Sequence, residues 1–194
     1  TPSSAASDVY KRQEMDLCGH ATLAAAHIIK SELEHKSNTI HFKTLSGNLS
    51  VRFSNHFYYL NFPSRKPIKT ILPNKLKMAL NFQPKKVYKS RDYRLVYDNQ
   101  KDIHDIKIDR VKFDEINLGT GGVIFTAPGD EFDFVSRFFT PKSTILEDPV
   151  TGSSHCSLIP FWSDFFNKNK LKAQQISERG GYLLCENKDN RVII

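Results

Sequence analysis

Two amphipathic runs, one near each end of the chain, stand apart from a long middle stretch that alternates like β-structure. Leu17 to about Glu34 places Leu23, Ala26 or His27, and Ile28 or Ile29 at helical spacing, which predicts a helix entered through Gly19 with those residues buried. Thr39 to Lys43 and Leu49 to Phe53 alternate around Ser46-Gly47-Asn48, the pattern of a hairpin. Phe57 to Phe62 reads as a third strand ended by Pro63, and Pro63 to Pro67, with two prolines, suits an extended crossover between two halves. Beyond it the pattern predicts a short helix over Pro73 to Leu80 with proline in its first turn. Strands follow around Lys86 to Lys89 and Tyr93 to Tyr97, then at Gly122 to Ala127 and Phe132 to Phe139. Ile103 to Ile116 fits neither period. Ser154 to Asn167 is the second helix, and Gln174 to Ser177, Tyr182 to Glu186 and Arg191 to Ile194 read as closing strands. The sum is an α+β fold with many strands and two principal helices.

Each principal helix is led in by the same kind of segment. Glu14 precedes Cys18-Gly19-His20 in the first, and Asp148 precedes Thr151-Gly152-Ser153 in the second. Glycine lets backbone approach a ligand, and the unpaired N–H groups of a following helix attract anions. A carboxylate, an imidazole and a hydroxyl beside such turns suit the removal and return of a proton. Either motif alone reads as an ordinary helix start, with Thr151 or Ser153 as its cap and His20 as a surface histidine.

Taken together, these segments resemble a known family. Glu14-x3-Cys18-Gly19-His20-Ala21-Thr22-Leu23-Ala24-Ala25-Ala26, Thr44-Leu45-Ser46-Gly47, Ser136-Arg137-Phe138-Phe139-Thr140-Pro141, Glu147 through His155, and Arg179-Gly180-Gly181 occur here in one order. They are similar to the phenazine-biosynthesis, PhzF-like, isomerases, with most likeness to the MAWD-binding-protein-like branch. The resemblance implies the fold of diaminopimelate epimerase: two pseudo-symmetric halves, each a strand-rich barrel-like sheet around a central helix, with the site between them. Residues 14–65 would be the N-terminal half and 66–194 the C-terminal half. It also implies that His20, Asp148 and Ser153 are catalytic, and that Gly19, Ala21, Thr151, Gly152 and Ser154 bind substrate. A homodimer is implied as well.

The family's principal acid/base, a glutamate in a Ser-Glu-Thr-x-Phe segment, has no match here. Glu32 and Glu178 each follow a serine but sit in other contexts. By the resemblance the chain is cut at both ends, is expected to lack turnover and stability as it stands, and begins with a foreign stretch. Residues 1–13 are polar and aperiodic, and Asp8 to Gln13 is what a transposase sequencing adapter encodes in one frame, so they read as an artefact or a disordered tail.

Composition narrows the alternatives. The net charge is +7 and the pI about 9.3, but the lysines are scattered, so a solvated basic surface that favours anionic substrates fits better than a nucleic-acid partner. No apolar run approaches membrane-spanning length. Cys18, Cys156 and Cys185 are an odd count without a signal peptide, pointing to the reducing cytoplasm. Cys18-x-His20 and the adjacent His155-Cys156 lack zinc-site spacing, so no metal is expected. Cys18 at a helix start would have a lowered pKa, but Thr151 stands at the matching position, which disfavours a two-thiol mechanism. Arg137 is expected to organise the loop into Asp148, and Arg179-Gly180-Gly181 to be a tight turn or to bring an amide to the substrate.

The expected function is therefore a cofactor-independent isomerase that moves a proton on a small, anionic, carboxylate-bearing metabolite by general acid/base catalysis. A non-catalytic interaction protein is the alternative, and an amino-acid racemase or epimerase the third.

Overall fold

The computed structural model describes residues 16–33 and 35–194. The expectations for residues 1–13 and for Glu14 lie outside them.

Among the described residues the chain forms α1 (Gly19–Ser31), β1 (Thr39–Thr44), β2 (Gly47–Ser54), β3 (Phe57–Pro63), β4 (Ile68–Lys69), α2 (Asn74–Met78), β5 (Lys86–Lys89) and β6 (Tyr93–Val96). There follow α3 (Gln100–His104), α4 (Arg110–Asp114), β7 (Val123–Pro128), β8 (Phe134–Phe139), a 3-10 turn (Gly152–Ser154), α5 (His155–Phe166), β9 (Lys170–Gln175), β10 (Gly181–Lys188) and β11 (Arg191–Ile193). The strands make one sheet in the order β1-β2-β3-β11-β10-β9-β8-β7-β6-β5-β4. Among the described strands only β6–β7 and β8–β9 pair in parallel. The mixed α+β architecture with a large sheet and few helices is the one expected.

Two cores lie along this sheet. In the first, Leu158, Ile159 and Trp162 of α5 pack on Leu49, Phe62, Ile124, Phe134, Leu183 and Val192. The Trp162 indole stacks on Phe134 at 5.7 Å and donates its N–H to Thr126 Oγ1 at 3.0 Å, so its polar edge is satisfied inside the core. The second core gathers Leu76, Leu80, Leu95, Ile103, Phe113 and Phe125 under the short helices.

Pro160 lies inside α5 and cannot donate to the carbonyl four residues earlier. That carbonyl, on Cys156, instead accepts the backbone N–H of Arg65 at 2.7 Å. The proline of the second helix thus pins the crossover segment on which Arg65 sits.

Several expectations need correction. The buried stripe of α1 is Gly19, Thr22 and Ala26, whereas Leu23 is 36% and Ile28 50% exposed. Small residues let this helix lie close against its neighbours, and the stripe is rotated away from the larger apolar side chains. Ile103 to Ile116 holds the end of α3 and all of α4, two short helices capped by the side chains of Asn99 and Asp109 and too short for a period to register. Pro73 is the residue before α2 rather than within it. The strand expected at Gln174 to Ser177 starts earlier, at Lys170, because Leu171, Ala173 and Gln175 alternate into the core.

Candidate active site

The two glycine-containing turns meet. A Cβ built on Gly19 would lie 3.2 Å from the Cα of Gly152, so the entrances to α1 and α5 touch backbone to backbone. Beside this contact opens a cavity of about 260 Å³ lined by Cys18, His20, Arg91, Asp148, Thr151 and Ser153, among others. Gly19 and Gly152 also line it. Ala21 and Ser154 stand one residue behind the wall, and the Ser154 hydroxyl donates to the Thr151 carbonyl at 2.8 Å.

Each wall residue is held from behind. The Thr151 hydroxyl donates to Asp148 Oδ2 at 2.6 Å. Gln175, fully buried at the end of β9, accepts the Thr151 backbone N–H at 2.8 Å and donates to the Asp148 carbonyl at 2.6 Å, so one amide closes both ends of the turn. Arg137 grips Glu147 through two bonds of 2.7 Å and reaches the carbonyls of Ile103, His104 and Ile106, which fixes the loop just before Asp148. The Arg179-Gly180-Gly181 turn does not line the cavity. Gly181 packs on Val150, where a Cβ would fall 2.5 Å from a Val150 methyl, and Ser177 donates to the Pro149 carbonyl at 2.7 Å.

The first turn carries the titratable pair. Cys18 Sγ lies 3.6 and 3.7 Å from the two ring nitrogens of His20. Burial opposes ionisation of Cys18, but the His20 hydrogen bond, the Ala21 amide and the His20 charge outweigh it and lower the thiol pKa. The same bond to Cys18 raises the His20 pKa against partial burial, helped by the Cys18 and Asp148 charges. Cys18 is therefore more closely engaged with His20 than a mere helix-start residue. His155 and Cys156 are turned into the core, the His155 ring lying 5.9 Å from Phe134.

An ionic network not singled out from the sequence lies behind Ser153. Arg91 donates to Ser153 Oγ at 3.1 Å and pairs with Asp16 at 3.1 Å and Asp92 at 2.8 Å. Asp16 also pairs with Arg65, whose guanidinium donates to Ser46 Oγ at 2.7 Å. Burial resists ionisation of Asp16, yet Arg91 and Arg65 outweigh it and hold its carboxyl below the ordinary range. The Ser46 of the Thr44-to-Gly47 segment thereby acquires a role. Arg91 carries no local sequence signal beyond its adjacency to Asp92.

With this geometry in place, comparison with known proteins gives the class. Residues 11–192 match the family model described as phenazine biosynthesis-like protein. The chain is 40% identical over 181 residues to an uncharacterized isomerase of Pseudomonas aeruginosa, covering 93% of this chain and 69% of that one. A crystal structure of a phenazine biosynthesis protein of the PhzF family from Enterococcus faecalis superposes with a TM-score of 0.84 at 43% identity, over 94% of this chain and 70% of the other. A predicted epimerase from Pseudomonas aeruginosa shares the fold at a TM-score of 0.60 and 16% identity, over 93% of this chain and 71% of that one. The fold is that of the PhzF- and epimerase-like class. The chain belongs to the phenazine biosynthesis-like, PhzF, family. No helix among the described residues is long and apolar enough to cross a membrane.

Proposed function

We propose that this protein is an isomerase that moves a proton on a small carboxylate-bearing metabolite by general acid/base catalysis. The observation that carries the reading is the contact of the Gly19 and Gly152 turns beside a cavity walled by His20, Asp148 and Ser153. The backbone amides of the two helix starts, with Gly152, Ser153 and Ser154 at the second, would receive the carboxylate. Thr151 occupies one oxygen of Asp148, and the other is assigned to orienting substrate or exchanging a proton. His20, with a pKa moved up by Cys18, would carry the proton between donor and acceptor carbons. Transfer among side chains calls for no metal or organic cofactor.

The family resemblance adds a division into halves near residue 65 and a homodimer. Cys18, Cys156 and Cys185 are all free thiols, which supports a reducing, cytoplasmic setting.

The test is incubation in D2O of a version extended to the length of its relatives, with a panel of small unsaturated and 2-amino carboxylates, followed by mass spectrometry. Deuterium should enter at a carbon next to a carboxylate or double bond, and Asp148→Asn should slow entry by about a hundredfold or more. Equal incorporation by the protein and Asp148→Asn, across the panel, would sink the reading.

A further inference from the structure

We infer that Arg91 is a positioning residue of this site: it sets the direction of the Ser153 hydroxyl and ties the segment entering α1 to the Gly152 turn. The inference rests on the reading that the cavity takes an anionic ligand.

A guanidinium only donates, so in the 3.1 Å contact from Arg91 Nη2 the Ser153 oxygen must be the acceptor. A serine hydroxyl has a single proton, and Arg91 cannot take it. Ser153 lines the cavity, so that proton is offered there, toward a ligand oxygen with a lone pair. A hydroxyl held this way is a one-way donor: it accepts from behind and gives in front. It favours a carboxylate oxygen over an ammonium at the same point.

Arg91 is itself held from the opposite side. Its Nε and Nη2 donate to the two oxygens of Asp92 at 3.0 and 2.8 Å, and Nη1 donates to Asp16 at 3.1 Å. Asp92 has a side chain only 4% exposed and also accepts the Gly122 backbone N–H at 2.8 Å, which fixes it to the start of β7. Gly119 and Thr120, just before this point, line the cavity. Asp16 continues to Arg65 and Ser46. The network therefore joins the approach to α1, the β1–β2 turn, the loop before β7 and the Gly152 turn.

Its charge balance assigns the mechanism of action. Arg91 and Arg65 face Asp16 and Asp92, two cations against two anions, so Arg91 has little unneutralised charge to offer a ligand directly. Its influence on the ligand passes through Ser153. A lysine would keep the charge but could not span Asp16, both oxygens of Asp92 and Ser153 with one ammonium.

Cys18 supplies a reporter in the same cavity that needs no knowledge of the substrate. It is half-buried there, while Cys156 and Cys185 are buried in the core. The experiment compares alkylation of Cys18 by iodoacetate, an anion, with alkylation by iodoacetamide, its neutral counterpart, followed peptide by peptide. The iodoacetate to iodoacetamide rate ratio should fall about three- to tenfold in Ser153→Ala, the size of one ordinary hydrogen bond lost. Arg91→Lys should lower the ratio by a similar factor, and the double variant should fall no further than either single one. Loosening of the fold alone would speed both reagents together and leave the ratio unmoved.

A wild-type ratio in Arg91→Lys, or effects that multiply in the double variant, would overturn the inference. Should Arg91→Lys not fold, nitrogen-15 NMR of the Arg91 side chain decides instead. Ser153→Ala should shift its guanidinium signals, and unchanged signals would overturn the inference equally. Loss of the ratio effect with deuterium exchange intact removes Arg91 from its role and spares the isomerase reading. The converse result removes the isomerase reading and spares Arg91.

Discussion

Gly19 and Gly152 are packed against each other without symmetry of tolerance. A Cβ on Gly19 would press on the Gly152 Cα at 3.2 Å and on the Phe62 ring at 3.4 Å, whereas one on Gly152 would meet only the Gly19 Cα at 3.5 Å, an ordinary contact. Gly19→Ala is therefore expected to force the turns apart by a few tenths of an ångström and to cost about 1–2 kcal/mol, the range of mild overpacking. Gly152→Ala should cost less. Thermal unfolding checks this: Gly19→Ala should lower Tm by roughly 2–6 °C, and a larger drop in Gly152→Ala would contradict the packing described.

Gln175 gives a second prediction. Its amide satisfies the buried Thr151 N–H and the Asp148 carbonyl at once. Gln175→Leu keeps the volume but strands both groups, each worth about 1–3 kcal/mol when left unpaired. Destabilisation of roughly 2–5 kcal/mol in urea titration is expected. Gln175→Glu retains an acceptor for Thr151 but sets a carboxylate against the Asp148 carbonyl, so it should rescue only part of the loss.

These two cases show what the chain disclosed before its structure. The helix starts were legible because Cys18-Gly19-His20 and Thr151-Gly152-Ser153 are local motifs, and the hairpin because Gly47, at φ +85°, closes it within a few residues. Gln175 and Arg91 were not legible. Each acts on a residue many positions away, Gln175 on Thr151 and Arg91 on Asp16 and Ser153, and a Gln at the end of a strand or an Arg in the turn between β5 and β6 gives no sign of its partner. The buried side of α1 is illegible for a related reason: periodicity locates an apolar stripe, but the small residues Gly19 and Ala26 select which stripe is buried.

His155 makes stability depend on acidity. Its Nδ1 lies 2.9 Å from the Thr151 carbonyl, which can only accept, so Nδ1 carries the proton, and the buried Nε2 has no hydrogen-bond partner among the described residues. Burial pushes the pKa down to about 4 from 6.5, against a weaker upward pull from the Thr151 carbonyl. The folded pKa is depressed, so the native state binds a proton less readily than the unfolded chain. Stability from this residue is complete above pH 6.5 and is lost as pH falls toward 4, by up to about 3 kcal/mol. His155→Gln should flatten unfolding free energy between pH 6.5 and pH 4, and an unchanged acid limb would refute the assignment.

Arg94 is the cation that the core holds at a cost. It is fully buried, donates to the Ser157 carbonyl at 2.7 Å, and lies over the rings of Phe161 at 3.9 Å and Tyr88 at 4.9 Å, while Nε and Nη2 find no hydrogen bond among the described residues. The rings and the carbonyl recover part of the desolvation penalty. Burial still dominates and brings the pKa down to about 9, against a smaller upward pull from Tyr88. A base with a depressed folded pKa is penalised below that value, so the penalty is in full force at neutral pH. Arg94→Met fills a similar volume without the charge and is expected to stabilise the fold by about 1–3 kcal/mol, as replacement of buried ions by apolar groups often does. A lower Tm for Arg94→Met at pH 7 would mean that the Ser157 bond and the two aromatic contacts outweigh the burial of the charge.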